Sequence, residues 1–501
     1  RAGDALRGSV HVRGAAPKGL VLRLVADGRA LAEAAVPVPA GDTWTGVPVV
    51  LKPSAGAPAA VLEIAAAGGA DVAIDQVSLM PDSCAASGGF RPDLLKAIAD
   101  LRPPVIRWPG GCYAEEYRWK DGIGPQSARG AFPKPMWDDV DVNSLGTDEF
   151  IDLCRRTGAE PLIVINTGRF DEETPRADYV REALDWMEYC NGPADSKWGA
   201  VRAKNGHPAP YNVKLWEIDN ETWESGIATY IEVVKEFAPA MRKAHPSVTL
   251  LACGGDGANL DSHGRWDPKL IEACADLFDV LSIHHYEDPA KFADGPPADE
   301  RWYRDLQGLI AKSRNPNLKL YVSEWNAQST DWRTGLYAGN ILNAFERCGD
   351  VVTLAAPALF LRHVSARAWD NALVNFDACG WFPAPNYVVM KLWYDHFAPE
   401  RIALDAPPSP LSLVATRDGK GRVIVKAVNP TDAPVEVAVR LAGGAATSAE
   451  LTLVAPGSLD ARNTLAAPAA VAPRPGEARV TGGAARFTLP ALSAGVAVLE
   501  R

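Results

Sequence analysis

Leu318-Lys-Leu-Tyr-Val-Ser-Glu324-Trp325-Asn326 is the stretch whose reading decides the fold. An almost unbroken apolar run of strand length stops abruptly in polar and aromatic groups. A strand apolar on both faces is buried on both faces, as in a parallel sheet covered by helices. The same pattern recurs at Val105-Ile-Arg-Trp108, Leu162-Ile-Val-Ile-Asn166, Leu215-Trp-Glu-Ile218, Thr249-Leu-Leu-Ala-Cys253, Val280-Leu-Ser-Ile283 and Val351-Val-Thr-Leu354. Helical stretches at 147–157, 178–190, 227–244, 267–276, 300–313 and 335–348 lie between them. This alternation predicts an α/β fold, a (β/α)8 TIM barrel over 83–400, rather than an open doubly wound sheet. A closed barrel needs eight strands and only seven are visible.

Outside this region the period of two takes over. Gly19-Leu-Val-Leu-Arg-Leu-Val25 and Trp44-Thr-Gly-Val-Pro-Val-Val-Leu51 predict an N-terminal β-sandwich over 1–82. Gly421-Arg-Val-Ile-Val-Lys-Ala-Val428 and Pro434-Val-Glu-Val-Ala-Val-Arg-Leu441 predict a C-terminal β-sandwich over 401–501. The Ala/Pro-rich stretch 455–476 reads as a long surface loop or loose edge.

Composition removes several function classes. Hydrophobic residues make up 47% of 501, so wholesale disorder is excluded. Lys plus Arg is 51 against 62 Asp plus Glu, a net charge of −11, which argues against a duplex nucleic-acid partner. No apolar run reaches the length of a membrane span, and no signal peptide is visible. The eight cysteines form no C-x-x-C pair, and there is no H-E-x-x-H, P-loop or G-x-G-x-x-G, so metal and nucleotide cofactors lack their motifs. Fifteen Trp residues fit core packing first and sugar stacking second.

Function in a (β/α) barrel collects at the C-terminal ends of the strands. Those ends carry Arg107, Asn166, Asp219-Asn220-Glu221, His284-His285-Tyr286 and Glu324-Trp325-Asn326. One glutamate after a strand is usually solvated or salt-bridged. Two, on different strand ends, are the minimum equipment for glycoside hydrolysis, one acid to protonate the leaving oxygen and one carboxylate to attack or activate water. Asn220 is suited to bond a sugar 2-OH, and Arg107 to orient the nucleophilic carboxylate and hold down its pKa. His284 and Tyr286 are suited to contact sugar hydroxyls or the carboxylates, and Trp325 and Trp108 to stack on the ring. His284 alone reads first as a satisfied core histidine, and Cys112, after a Gly-Gly turn, as a small buried hydrophobe. Asp121, Asp138, Asp139 and Asp141 read as loop-solvating or helix-capping groups. Asn220-Glu-Thr222 fits a glycosylation pattern, but a strand-end position inside a cleft argues against that use.

Arg107-Trp-Pro-Gly-Gly-Cys112, Tyr117-Arg-Trp-Lys-Asp-Gly-Ile-Gly-Pro125 and Leu145-Gly-Thr-Asp-Glu-Phe150 resemble signatures of glycoside hydrolase family 51, the α-L-arabinofuranosidases. Asp219-Asn-Glu221 resembles the family's acid/base motif, Ser282-Ile-His-His-Tyr286 a strand end of its pocket, and Val322-Ser-Glu-Trp-Asn326 its nucleophile strand. Asp370-Asn-Ala-Leu-Val-Asn375 and Asn386-Tyr-Val-Val-Met-Lys-Leu392 are similar to the branch containing the plant enzymes.

The resemblance implies a retaining double displacement with Glu324 as nucleophile and Glu221 as acid/base, and no metal or organic cofactor. It also implies a glycone pocket lined by Arg107, Cys112, Asn220, His284, Tyr286 and Trp325. Asp219 stands where the family usually has Gly, and Asp148 where many members have His, which opens the substrate question. Removal of α-L-arabinofuranosyl residues from arabinoxylan or arabinan is the leading expectation. An endo-β-1,4-glucanase or xylanase, or a non-catalytic carbohydrate-binding protein, are the alternatives.

Counted against the family, the missing strand is the first. Residues 1–82 resemble the later part of a carbohydrate-binding-like insert, so an upstream segment or a second chain is expected to complete the barrel. A polymeric substrate and a chain opening on Arg1 lean towards export.

Overall fold

The computed structural model describes residues 3–134, 137, 139–169, 171, 173–255, 260–367, 369–406 and 409–501. The chain divides into two compact units, residues 1–96 and 97–501.

In the second unit, seven strands lie side by side in chain order: Val105–Trp108, Glu160–Ile165, Leu215–Ile218, Thr249–Cys253, Val280–Glu287, Lys319–Ala327 and Val352–Pro357. Every neighbouring pair is parallel. Sequential order without a reversal is how a barrel winds; a doubly wound sheet reverses at a switch point. The fold is an α/β TIM barrel whose sequence is flanked by β domains. Among the described residues no eighth strand joins Val105–Trp108 to Val352–Pro357.

Alternation along each strand divides its residues between two cores. Leu162, Val164, Leu251 and Tyr321 pack together in one buried cluster. Ile163, Ile165, Leu250, Ala252, Leu320 and Val322 belong to a much larger one that includes the surrounding helices. Both sides are dry, so the strands read as continuous apolar runs. Each fully buried Leu, Ile or Val contributes about 1.5–3 kcal/mol.

Most helices follow their sequence signals closely, though Leu260–Cys274 begins seven residues before the expected 267. Thr147–Thr157 starts where the Glu149 carboxylate accepts the Gly146 amide at 2.9 Å and ends at Gly158, whose φ of 76° is open to glycine at no steric cost. Ile227–Ala244 buries Tyr230, Val233, Val234, Phe237 and Met241, a single stripe at helical spacing. Gly295–Ile310 and Trp332–Arg347 begin five and three residues earlier than the expected 300 and 335, because Pro and Gly in the first turn masked the start.

The first unit holds two three-stranded antiparallel sheets, one ordered Gly41–Leu51, Leu6–Ala15, Asp71–Pro81 and the other Arg29–Val36, Leu20–Ala26, Val61–Ala66. Val10, Val12, Leu20, Leu22, Val47 and Val49 share its core. The sequence pattern did not mark Leu6–Ala15 or Arg29–Val36, where Gly, Arg and repeated Ala dilute the alternation.

Beyond residue 400, six- and three-stranded antiparallel sheets enclose Val423, Val425, Phe487, Leu489 and Leu499. From 455 to 476 the backbone is irregular except for the short edge strand Arg474–Gly476. No helix among the described residues is long and apolar enough to cross a membrane.

Candidate active site

The C-terminal ends of the strands bring both glutamates to one cleft of about 290 Å³, whose lining includes Arg107, Cys112, Glu221, Tyr286 and Glu324. One oxygen of Glu221, one of Glu324 and a ring nitrogen of His284 all lie within 4.8 Å of one another. Their surroundings differ. The carboxylate of Glu324 accepts from Arg107 Nη1 at 3.0 Å and from the Tyr286 hydroxyl at 2.5 Å. Glu221 faces His284 Nδ1 at 2.7 Å and accepts from the Cys112 thiol at 3.5 Å.

Arg107 is the hub of the site. Its Nε reaches Glu217 at 2.5 Å and its Nη2 the side-chain oxygen of Asn220 at 2.8 Å. Glu217 is wholly buried, in the middle of its strand, and also accepts from the Ser282 hydroxyl. A buried carboxylate must be paired, and the planar guanidinium meets two carboxylates and an amide oxygen at once. Glu217 and Glu324 together raise the Arg107 pKa against the effect of burial.

The electrostatics set Glu221 and His284 as a pair. Burial pushes Glu221 upward, but the His284 hydrogen bond and charge outweigh it, and the net shift is downward. Burial pushes His284 downward, but Glu324 and Glu221 outweigh it, and the net shift is upward. One proton is therefore shared between the two groups, with the imidazole favoured. Burial and the Glu221 charge push the Cys112 thiol up to about 12, so it stays protonated and acts as a donor.

The backbone around Glu221 is unusual. Asp219 and Glu221 adopt φ of 66° and 42°, left-handed conformations that cost energy for residues with a Cβ. Asp219 holds the turn from within. Its carboxylate is fully buried, accepts the Asn220 amide at 2.8 Å and takes the Thr167 hydroxyl. Burial raises its pKa to about 6. Arg169 braces the other side, donating to the Glu221 carbonyl at 2.6 Å and to Glu115 at 2.8 Å.

Two expected sugar platforms are corrected. Trp325 is fully buried and packs on Tyr337 and Phe345, away from the cleft. Adjacent strand residues point to opposite faces, so Glu324 and Trp325 cannot both face the substrate. By the same alternation, Trp108 stacks on Phe150 while Arg107 points inward.

The tryptophans that line the cleft are Trp137 and Trp369, beside the aromatic rings of Tyr286, Tyr321, Phe360 and Tyr394. Trp369 stands 45% exposed with its ring 5.8 Å from Tyr286. Sequence reasoning also missed Glu217, Glu115 and Arg169. The signal for Glu217 was a lone carboxylate within the apolar run Leu215–Ile218; Glu115, in the short 3-10 helix Gly111–Glu116, and Arg169, in a turn, gave none. Asn166 turns aside, donating to the Glu115 carbonyl at 2.7 Å. Asp148 accepts the hydroxyls of Tyr189 and Tyr211, a structural role. Asp141 accepts the Tyr113 hydroxyl, and Asp138 lies outside the described residues.

The α-L-arabinofuranosidase 1 domain matches residues 97–304 and the α-L-arabinofuranosidase C-terminal domain residues 302–493. Probable α-L-arabinofuranosidase C of Aspergillus terreus is 36% identical over 252 residues, 46% of this chain and 47% of the relative. α-L-Arabinofuranosidase 1 of Arabidopsis thaliana is 29% identical over 425 residues, 80% of this chain and 59% of the relative. The chain thus spans about half the length of the curated relatives it matches. The crystal structure of an α-L-arabinofuranosidase from Thermotoga maritima, in complex with arabinose, superposes with a TM-score of 0.73 at 26% identity, covering 82% of this chain and 90% of its own. An arabinose-bound family 51 α-L-arabinofuranosidase superposes with a TM-score of 0.83 at 22% identity, covering 99% of this chain and 82% of its own. The chain belongs to glycoside hydrolase family 51.

Proposed function

We propose that this chain is the catalytic part of a retaining α-L-arabinofuranosidase that removes arabinofuranosyl residues from the non-reducing ends of plant polysaccharide or oligosaccharide chains. The observation that carries this reading is the closeness of the two carboxylates, with an oxygen of each within 4.8 Å. Retaining glycosidases hold their carboxyl groups about 5–5.5 Å apart, whereas inverting ones need about 6.5–9.5 Å to admit a water between them.

In the first step an oxygen of Glu324 bonds to the anomeric carbon. The glycosidic bond breaks, and the departing oxygen takes the proton held by Glu221 and His284. In the second step water attacks the same carbon, Glu221 accepts its proton and the ester to Glu324 breaks. Arg107 and Tyr286 hold Glu324 for in-line attack, and Asn220 and Cys112 face the sugar from the acid/base side.

The domain limits 1–82, 83–400 and 401–501 belong to the same proposal, with the first a carbohydrate-binding-module-like sandwich. So does an eighth strand, from a further segment or a second chain, between the apolar edges at Val105–Ile106 and Leu354–Ala356 that line the cleft floor.

The test is incubation with an aryl α-L-arabinofuranoside. Release of the aryl group by this chain, abolished in both Glu221→Ala and Glu324→Ala with an activated leaving group and azide restoring one of them, supports the reading. Turnover of cellulose or xylan without aryl release contradicts it.

A further inference from the structure

A second cluster of ionisable groups lies behind the proposed catalytic pair. His285, Glu287 and Asp299 are all buried. His285 Nε2 stands 3.2 Å from Glu287 Oε2 and 3.2 Å from Asp299 Oδ2. Two carboxylates thus converge on one ring nitrogen, which can carry at most one proton towards them. All three donor atoms lie within 4.8 Å of one another, a spacing that a single bound cation can bridge.

Two more observations point to an occupant. The hydroxyls of Tyr303 and Tyr337 are buried and make no hydrogen bond among the described residues. Both phenols are pushed up first by burial and next by the charge of Asp299, and Tyr337 also feels Glu287. The helix Gly295–Ile310 also starts hard against the cluster, since a Cβ at residue 295 would stand 2.0 Å from Glu287 Oε2. Its N-terminal amides supply only a partial positive charge.

We propose that His285, Glu287 and Asp299 bind a divalent transition-metal cation, Zn²⁺ by the nature of the donors. One imidazole nitrogen and two carboxylate oxygens form a three-ligand set of the kind zinc takes, and a water held by Tyr303 or Tyr337 completes four-coordination. Tetrahedral ligands at zinc bond lengths stand about 3.3 Å apart, which matches the two 3.2 Å separations. Calcium and magnesium prefer all-oxygen shells of six or more ligands, which this pocket does not offer. The ion is structural: it ties the Val280–Glu287 strand end to the next helix, and the flanking His284 and Tyr286 are the groups that touch Glu221 and Glu324. The proposal does not depend on the glycosidase reading.

The experiment uses the whole chain, stripped with a chelator and titrated with Co²⁺ and Zn²⁺. To remove binding at the other carboxylate–imidazole group, the titration is made in Glu221→Gln/Glu324→Gln protein. The site predicts one equivalent of metal retained through gel filtration, a visible absorption typical of four-coordinate Co²⁺, and a raised melting temperature. Asp299→Asn added to that background abolishes retention. Absence of stoichiometric metal in the double variant overturns the proposal and leaves an imidazolium between two carboxylates. Retention that survives Asp299→Asn overturns it as well. If Asp299→Asn does not fold, the stoichiometry and spectrum of the double variant decide alone.

Discussion

His284 Nδ1 lies 2.7 Å from one oxygen of Glu221, and the two groups shift in opposite directions, the carboxyl down and the imidazole up. In the proposed mechanism the acid that serves the leaving group is therefore a pair holding one proton. The pair keeps that proton to a higher pH than Glu221 could hold it alone, because two sites compete to retain it. Replacing His284 by Asn removes one of them. The alkaline limb of the kcat/KM profile then moves to lower pH, by an amount read directly from the bell curve. A limb that stays in place or moves up shows that the proton does not reside on this pair.

Arg107 neutralises two buried carboxylates at once. Arg107→Met strands Glu217, which is wholly buried, and destabilises the fold by about 3–5 kcal/mol. Chemical denaturation checks this. Arg107→Met/Glu217→Gln recovers a large part of that loss, since no unpaired charge remains at residue 217. Activity stays low in both, because Glu324 has lost its Arg107 contact.

Burial, then the Asp219 charge, push Glu115 up to about 8, against the pull of Arg169. An unfolded glutamate ionises near pH 4.3. Between these values the folded state binds the extra proton, so this group's contribution is full below about pH 4 and is lost as pH rises through about 8. Glu115→Gln removes the titration. Its melting temperature should depend less steeply on pH between 5 and 8 than that of the parent protein.

The two tryptophans near Glu324 should separate cleanly. Trp325 is core, so Trp325→Ala costs about 3–5 kcal/mol. Trp369 is exposed at the cleft, so Trp369→Ala leaves the melting temperature within a degree or two and raises KM several-fold. Equal losses of stability in the two variants would show that Trp369 supports the fold instead.

Much of this site could be read from the sequence because a parallel strand buried on both faces must be apolar until it ends. Glu221, His284, Tyr286 and Glu324 stand out where the apolar runs stop. Facing was harder. Adjacency to Glu324 suggests Trp325 as a sugar platform, but alternation sends it outward into the core. Glu217 lay inside an apolar run and gave no motif, yet the geometry of Arg107 depends on it. Trp369 and Arg169 belong to loops and Glu115 to a short 3-10 helix, whose course no periodicity predicts. The left-handed turn at Asp219 and Glu221 was equally hidden, since non-glycine residues rarely adopt it and the bonds that hold it come from Thr167 and Arg169.

The central claim is a double displacement through two closely spaced carboxylates. It is tested most directly by ¹H NMR of the first product formed from an aryl α-L-arabinofuranoside in the presence of methanol. Retention predicts methyl α-L-arabinofuranoside as the initial transfer product. Free β-L-arabinofuranose as the first product, with no methyl transfer, would mean single displacement by water and would contradict the account.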